Sequence, residues 1–269
     1  MKNHALALGF GAVLLLGVVA SADAQVIVTV DRNTGAAATH AFKFPRVPSP
    51  VAGDAAAKAK LVLVDGTRDD NGGGLDGLTD GLLPHEEDEP GANFFFDAGT
   101  AGGRFMMDLT TTVEISQVNT YSWHPNTRGP QIYTLYASDG SDPKFNPAPK
   151  AGVDPTTCGW KRVTAVDTRP QGDEGGQYGV SITEKSGSLG TFRYLLFDCA
   201  VTETDDDYGN TFYSEIDVIA RGGSGQATEV RGLMSRTSNF WLHTSNFRRR
   251  ISAACVSQSI HVRRDRSHL

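Results

Sequence analysis

The chain predicts an all-β fold, a jelly-roll β-sandwich of about eight to nine antiparallel strands, and three observations predict it. Strand-like segments follow one another through 113–121, 131–138, 160–168, 178–182, 192–198 and 212–220, with no helical periodicity between them. Glycine fills 30 of the 269 positions, enough to turn many short strands. Within the segments apolar and polar residues alternate, the two-residue period of a pleated strand.

Taken in order, VIVTV at 26–30 reads as the first strand. Residues 33–60 are rich in Ala, Pro and Gly and are expected to run extended around the domain edge, with a short helix over Ala55–Lys60. LVLV at 61–64 is a strand, and 65–81 (DGTRDDNGGGLDGLTDG) is a long loop dense in Gly and Asp. FFF at 94–96 and RFMMDL at 104–109 are two strands joined by a Gly-rich turn. VEISQVNTY sets Val113, Ile115 and Gln117 against Glu114, Ser116 and Val118, and QIYTLYAS sets Ile132, Thr134 and Tyr136 against Gln131, Tyr133 and Leu135. Both have mixed faces, as in sheets covered on one side and partly on the other.

The N-terminus sets the expected compartment. Lys2 and His4 precede an unbroken run of apolar residues and glycine from Ala5 to Ala20, followed by Ala22-Asp23-Ala24. This is the pattern of a secretory signal peptide over 1–24, and the apolar run is shorter than the ~20 residues that span a bilayer. The expected mature protein has no transmembrane segment and is secreted, whether extracellular, periplasmic or at the cell surface. Residues 221–269 break the pattern: nine arginines stand against Glu229 and Asp265, lysine is absent beyond Arg221, and no strand or helix face persists. That segment reads as a disordered extension or a shifted reading frame in preference to a basic tail that binds polyanions or a cell surface. The chain as a whole carries −6, so residues before the tail are strongly acidic. This balance argues against nucleic acid as a partner and suits a hard cation held on carboxylates.

Cys158 precedes one expected strand and Cys199 ends another. Export permits a disulfide between them, which would add roughly 4 kcal/mol by loop closure. The alternative is two buried thiols that never meet. Glu215 sits inside the otherwise apolar FYSEIDVIA, where a buried carboxylate without a partner is costly. A cation, solvent or an arginine such as Arg193 would each relieve it. Between two strands, Tyr121, Trp123, His124, Asn126 and Arg128 offer aromatic plates and planar donors, the mixture a sugar needs. Tyr121 and Trp123 alternate, so ordinary packing competes with that reading. His85, beside Glu86 and Glu87, is a further ligand candidate. Asp205–Asp207 reads as a solvated turn. G-x-S-x-G, H-E-x-x-H and P-loop signatures are absent. The many Asp and Glu residues leave a glycosidase carboxylate pair open.

Four motifs resemble the galactose-binding-like superfamily, specifically discoidin or coagulation-factor C-type domains and related bacterial carbohydrate-binding modules. They are Leu78-Thr79-Asp80-Gly81, RFMMDL at 104–109, VNTYSWHPNTRGPQIYTLYASDG at 118–140 followed by Trp160, and FYSEIDVIA at 212–220. Together they span roughly residues 60–220. The long DG loop, the insert Ser141–Cys158 and the lack of a terminal cysteine pair depart from the pattern. The resemblance implies an eight-stranded jelly roll over 61–220, no catalysis, and ligand binding by loops at one end. It also implies a structural Ca²⁺ shared by the DG loop (Asp80) and Glu215. Asp65, Asp69, Asp70, Asn71 and Asp76 are possible additional ligands, although their spacing is not that of an EF-hand. The expected function is recognition of glycan or another cell-surface or matrix ligand. An adhesive protein binding other proteins, and a polysaccharide hydrolase, are the alternatives.

Overall fold

The structure is a computed structural model describing residues 25–170 and 175–222. The signal-like segment, Cys255 and nearly all of the basic tail lie outside these residues. Eight antiparallel strands form the fold: β1 (Val26–Thr34), β2 (Lys60–Asp65), β3 (Gly103–His124), β4 (Ile132–Ser138), β5 (Lys161–Asp167), β6 (Gly176–Glu184), β7 (Gly190–Cys199) and β8 (Tyr213–Ala220). Among the described residues no helix is long and apolar enough to cross a membrane.

β3 organises the sandwich. Its first half pairs with β2 and β7, in a sheet that continues through β4 to β5. Its second half pairs with β6 and β8, with β1 outside β6. RFMMDL and VEISQVNTY, expected as separate strands, are therefore one strand of 22 residues that folds over from one sheet to the other. The fold-over is a register break between Asp108 and Val113, with Thr110 at φ +67°. A non-glycine residue there is strained, and exposure of Thr110–Thr112 leaves room for it.

A second register shift lies between Ile115 and Gln117. It lets Ile115 and Val118, three residues apart, both enter the core, which strict alternation from Val113 does not allow. FFF at 94–96 is not a strand. Phe94 and Phe96 make single bridges to Tyr213 and Arg68 and turn into the core, while Phe95 faces the other way. The core is aromatic: Phe105 stacks on Phe197 at 4.9 Å and meets Phe94 edge-on at 5.6 Å.

Both outer faces are covered. Residues 39–54, expected at the domain edge, instead lie across the outer face of β3, β6 and β8. There Phe44 stacks on Tyr121, Tyr121 Oη donates to Pro48 O, and the Val51 amide donates to Asp217. A Cβ on Gly179 would come within 2.9 Å of the Phe44 ring, so this close approach requires glycine. The expected short helix is a 3₁₀ turn at Ala56–Lys58.

The insert Ser141–Cys158 covers the other sheet, packing Phe145 and Cys158 against Val64, Met106, Trp160 and Leu196. Arg104 fastens it. Its Nη1 donates to the carbonyls of Pro149, Lys150 and Val153, and Nε and Nη2 donate to the Asp198 carboxylate at 2.9 Å. Arg104→Lys cannot serve both the carbonyl cluster and the carboxylate. It is expected to lower unfolding free energy by about 3 kcal/mol, measured by urea denaturation.

The disulfide is corrected: both cysteines are free thiols. Cys199 is in the main core, where burial pushes its pKa far up, while Cys158 is half-buried against the second cluster with Sγ facing the Pro155 carbonyl. The two belong to different packing layers on opposite faces of one sheet.

Candidate functional site

β3 ends, and β4, β6 and β8 begin, at one end of the sandwich. The loops 66–102, 125–131 and 200–212 gather there. Between them lies a cleft of about 390 Å³, lined by residues of all three loops. Three of the sequence-expected ligand residues line it: His124, Asn126 and Arg128.

His124 is the last residue of β3 and is 6% exposed. Burial pushes its pKa down to about 4, against the favourable pull of Asp88. The Asn126 amide donates to Nδ1 at 3.3 Å, so in the neutral ring Nε2 carries the hydrogen. Nε2 lies 3.8 Å from Asp88 Oδ1 at the cleft edge. The imidazole is thus a fixed, uncharged donor at neutral pH.

Arg128 is 7% exposed. Its guanidinium carbon sits 5.1 Å from the Phe95 ring and 4.9 Å from both Tyr208 and Phe212. Phe95 and Phe212 stack face to face at 3.9 Å, and His124 meets Phe212 edge-on at 4.5 Å. Nε donates to the Tyr208 carbonyl, but Nη2 has no hydrogen-bond partner among the described residues. A buried guanidinium nitrogen without an acceptor is costly unless a ligand provides one.

Several residues fall elsewhere. Tyr121 and Trp123 do not line the cleft. Both are buried under the N-terminal cover, beside Phe42, Phe44, Leu83 and Pro84. Tyr121 is held by Pro48 and Asp217. His85 is exposed, stacks near His40 at 4.2 Å, and lines a separate cleft of about 350 Å³ beside the Gly73–Gly77 turn. Phe95, Tyr208 and Phe212 escaped the sequence reading. The available signal was period-two alternation: Phe94, Phe96 and Tyr213 enter the core, so Phe95 and Phe212 face the other way.

The DG loop does meet the closing strand. The Gly81 amide donates to Glu215 Oε2 at 3.0 Å. Glu215 is 1% exposed, and among the described residues it has no ion pair; Arg193 pairs with Asp108 instead. Burial, together with Asp217, Asp80 and Asp54, pushes its pKa up to about 9. Asp80 is exposed and caps its own turn by accepting from the Leu82 amide. Among the described residues no three His, Cys, Asp or Glu side chains form a metal-binding group. A cation at Glu215 would therefore draw most of its oxygens from backbone carbonyls and water. Ca²⁺ accepts such a set.

No family model matches the chain, and no curated protein matches it. Solved structures do, among them carbohydrate-binding modules and a glycoside hydrolase. A GH29 fucosidase of Ruminococcus gnavus in complex with fucose is 14% identical, with a TM-score of 0.38 over 64% of this chain; the match spans 27% of that protein. A CBM32 module from a family 31 glycoside hydrolase of Clostridium perfringens is 11% identical with a TM-score of 0.38, covering 62% of this chain and 97% of the module. A fucose-binding module of Streptococcus pneumoniae is 10% identical with a TM-score of 0.37, covering 62% and 98%. At these scores the functional reading rests on the cleft itself.

Proposed function

We propose that this protein is an exported, non-catalytic glycan-binding domain, stabilised by calcium at Glu215 and the DG loop, whose ligand sits in the cleft of His124, Asn126 and Arg128. The observation that carries the reading is Arg128, a buried guanidinium held among three aromatic rings with one nitrogen lacking an acceptor among the described residues. Sugar hydroxyls supply acceptors for Arg128 and His124 Nε2. Tyr208, 56% exposed at the rim, offers an apolar face to a pyranose ring. Export rests on the charge, apolar run and small residues of segment 1–24.

A glycan array probed with the full chain tests the reading. Binding to a defined set of glycans is expected, with Tyr208→Ala weakening it ~10-fold through the lost stacking face. Silence across the array, or binding indifferent to Tyr208→Ala, contradicts it. Because His124 stays uncharged well below neutrality, affinity for a glycan without ionisable groups is expected to be flat from pH 5.5 to 8. A rise or fall centred near pH 6.5 in a binding titration would show instead that the imidazole titrates as an exposed one does.

A further inference from the structure

Asp69, Asp88 and Asp206 wall the same cleft, against Arg128 as its one cationic side chain among the described residues. Asp69 is 8% exposed, accepts hydrogen bonds from Asn71 through Oδ1, and has no ion pair among the described residues. Asp88 is largely exposed and nearest His124, which is neutral at pH 7. Asp206 accepts from the Tyr208 amide and is exposed, beside the aromatic rim. Arg128 balances one of the three charges, and its guanidinium is already stacked between rings. A ligand entering the cleft therefore meets a net negative wall, the His124 Nε2 donor, and Arg128 Nη2, which has no acceptor among the described residues.

We infer that the cleft selects glycans bearing a free amino group over their neutral counterparts, and rejects those bearing carboxylates. The inference rests on the glycan-binding reading above. Arg128 and His124 Nε2 donate to hydroxyl or ring oxygens, while the protonated amine takes its place against Asp88 and Asp206. A uronate carboxylate would add a like charge to an uncompensated acidic wall. Asp88 and Asp206 are on the rim, so their attraction is reached without burying either charge, and it is screened by salt.

The test is binding of the full chain, by calorimetry at low and high salt, to three probes of equal length: a glucosamine oligomer, its N-acetylated form and an oligogalacturonate. The wild type is expected to bind the amine oligomer about 10-fold more tightly than the N-acetylated one, and the galacturonate most weakly. High salt or the double variant Asp88→Asn with Asp206→Asn removes the amine preference and leaves neutral binding in place. Both positions are exposed, so the variant is expected to fold. Neutral binding without an amine preference, or a preference that survives the double variant, overturns the inference and leaves the glycan reading intact. Absence of binding to every probe, and to the wider array, overturns both.

Discussion

Changing Arg128 to lysine is expected to weaken glycan binding at least ~30-fold while leaving the domain folded. The charge survives, but the planar fork does not. Lysine cannot place a donor where Nη2 points while lying between Phe95, Tyr208 and Phe212. Buried arginines at the centre of a binding site behave as hot spots, with truncation costing about 2 kcal/mol or more. Circular dichroism and thermal melting separate this from misfolding, since Arg128 makes few stabilising hydrogen bonds beyond the Tyr208 carbonyl. Wild-type affinity in the lysine variant would show that the guanidinium is only part of the packing.

In the presence of a chelator, Glu215→Gln is expected to stabilise the protein at pH 8 by on the order of 4 kcal/mol, an upper estimate, and to abolish its response to calcium. Glutamine keeps an oxygen for the Gly81 amide and removes the charge. The sign follows from linkage. The folded pKa of Glu215, about 9, lies above its ordinary 4.5. The unfolded chain therefore binds fewer protons, and stability falls as pH rises from 4.5 towards 9. Asp54, raised to about 6 by burial, acts in the same direction but is spent by neutrality. His124, depressed to about 4, acts oppositely, and only below 6.5. Between pH 6.5 and 8 the wild type in chelator should lose melting temperature steadily as Glu215 is held protonated in the folded chain alone. Calcium, by neutralising the carboxylate, should restore it. A wild-type melting temperature that ignores both calcium and pH over that window would remove the metal from the account.

Most strand positions were legible because alternation and turn glycines are local. What was not legible depended on register and on long-range covering. A bulge at Ser116 reset the pattern of β3, so Ile115 and Val118 share a face that alternation denies them. The Tyr121 and Trp123 rings looked like ligand plates because nothing local reveals that residues 39–54 return to cover that side of the sheet. The DG loop and Glu215 were brought together by the resemblance alone. The hydrogen bond between them joins residues 134 apart in sequence. Arg128 was legible as a donor, but its three aromatic partners come from two other loops. The cysteine pair failed for a similar reason: two thiols near strand ends carry no information about which layer each strand end faces.

The most direct test of the central claim is amide chemical-shift mapping of the protein with the tightest oligosaccharide from the array. Shifts are expected to concentrate at His124, Asn126, Arg128, Tyr208 and Phe212, with Tyr121, Trp123 and His85 nearly still. Shifts clustered instead around His85 and the Gly73–Gly77 turn, or spread along the exposed edge of β5, would place the ligand elsewhere and contradict it.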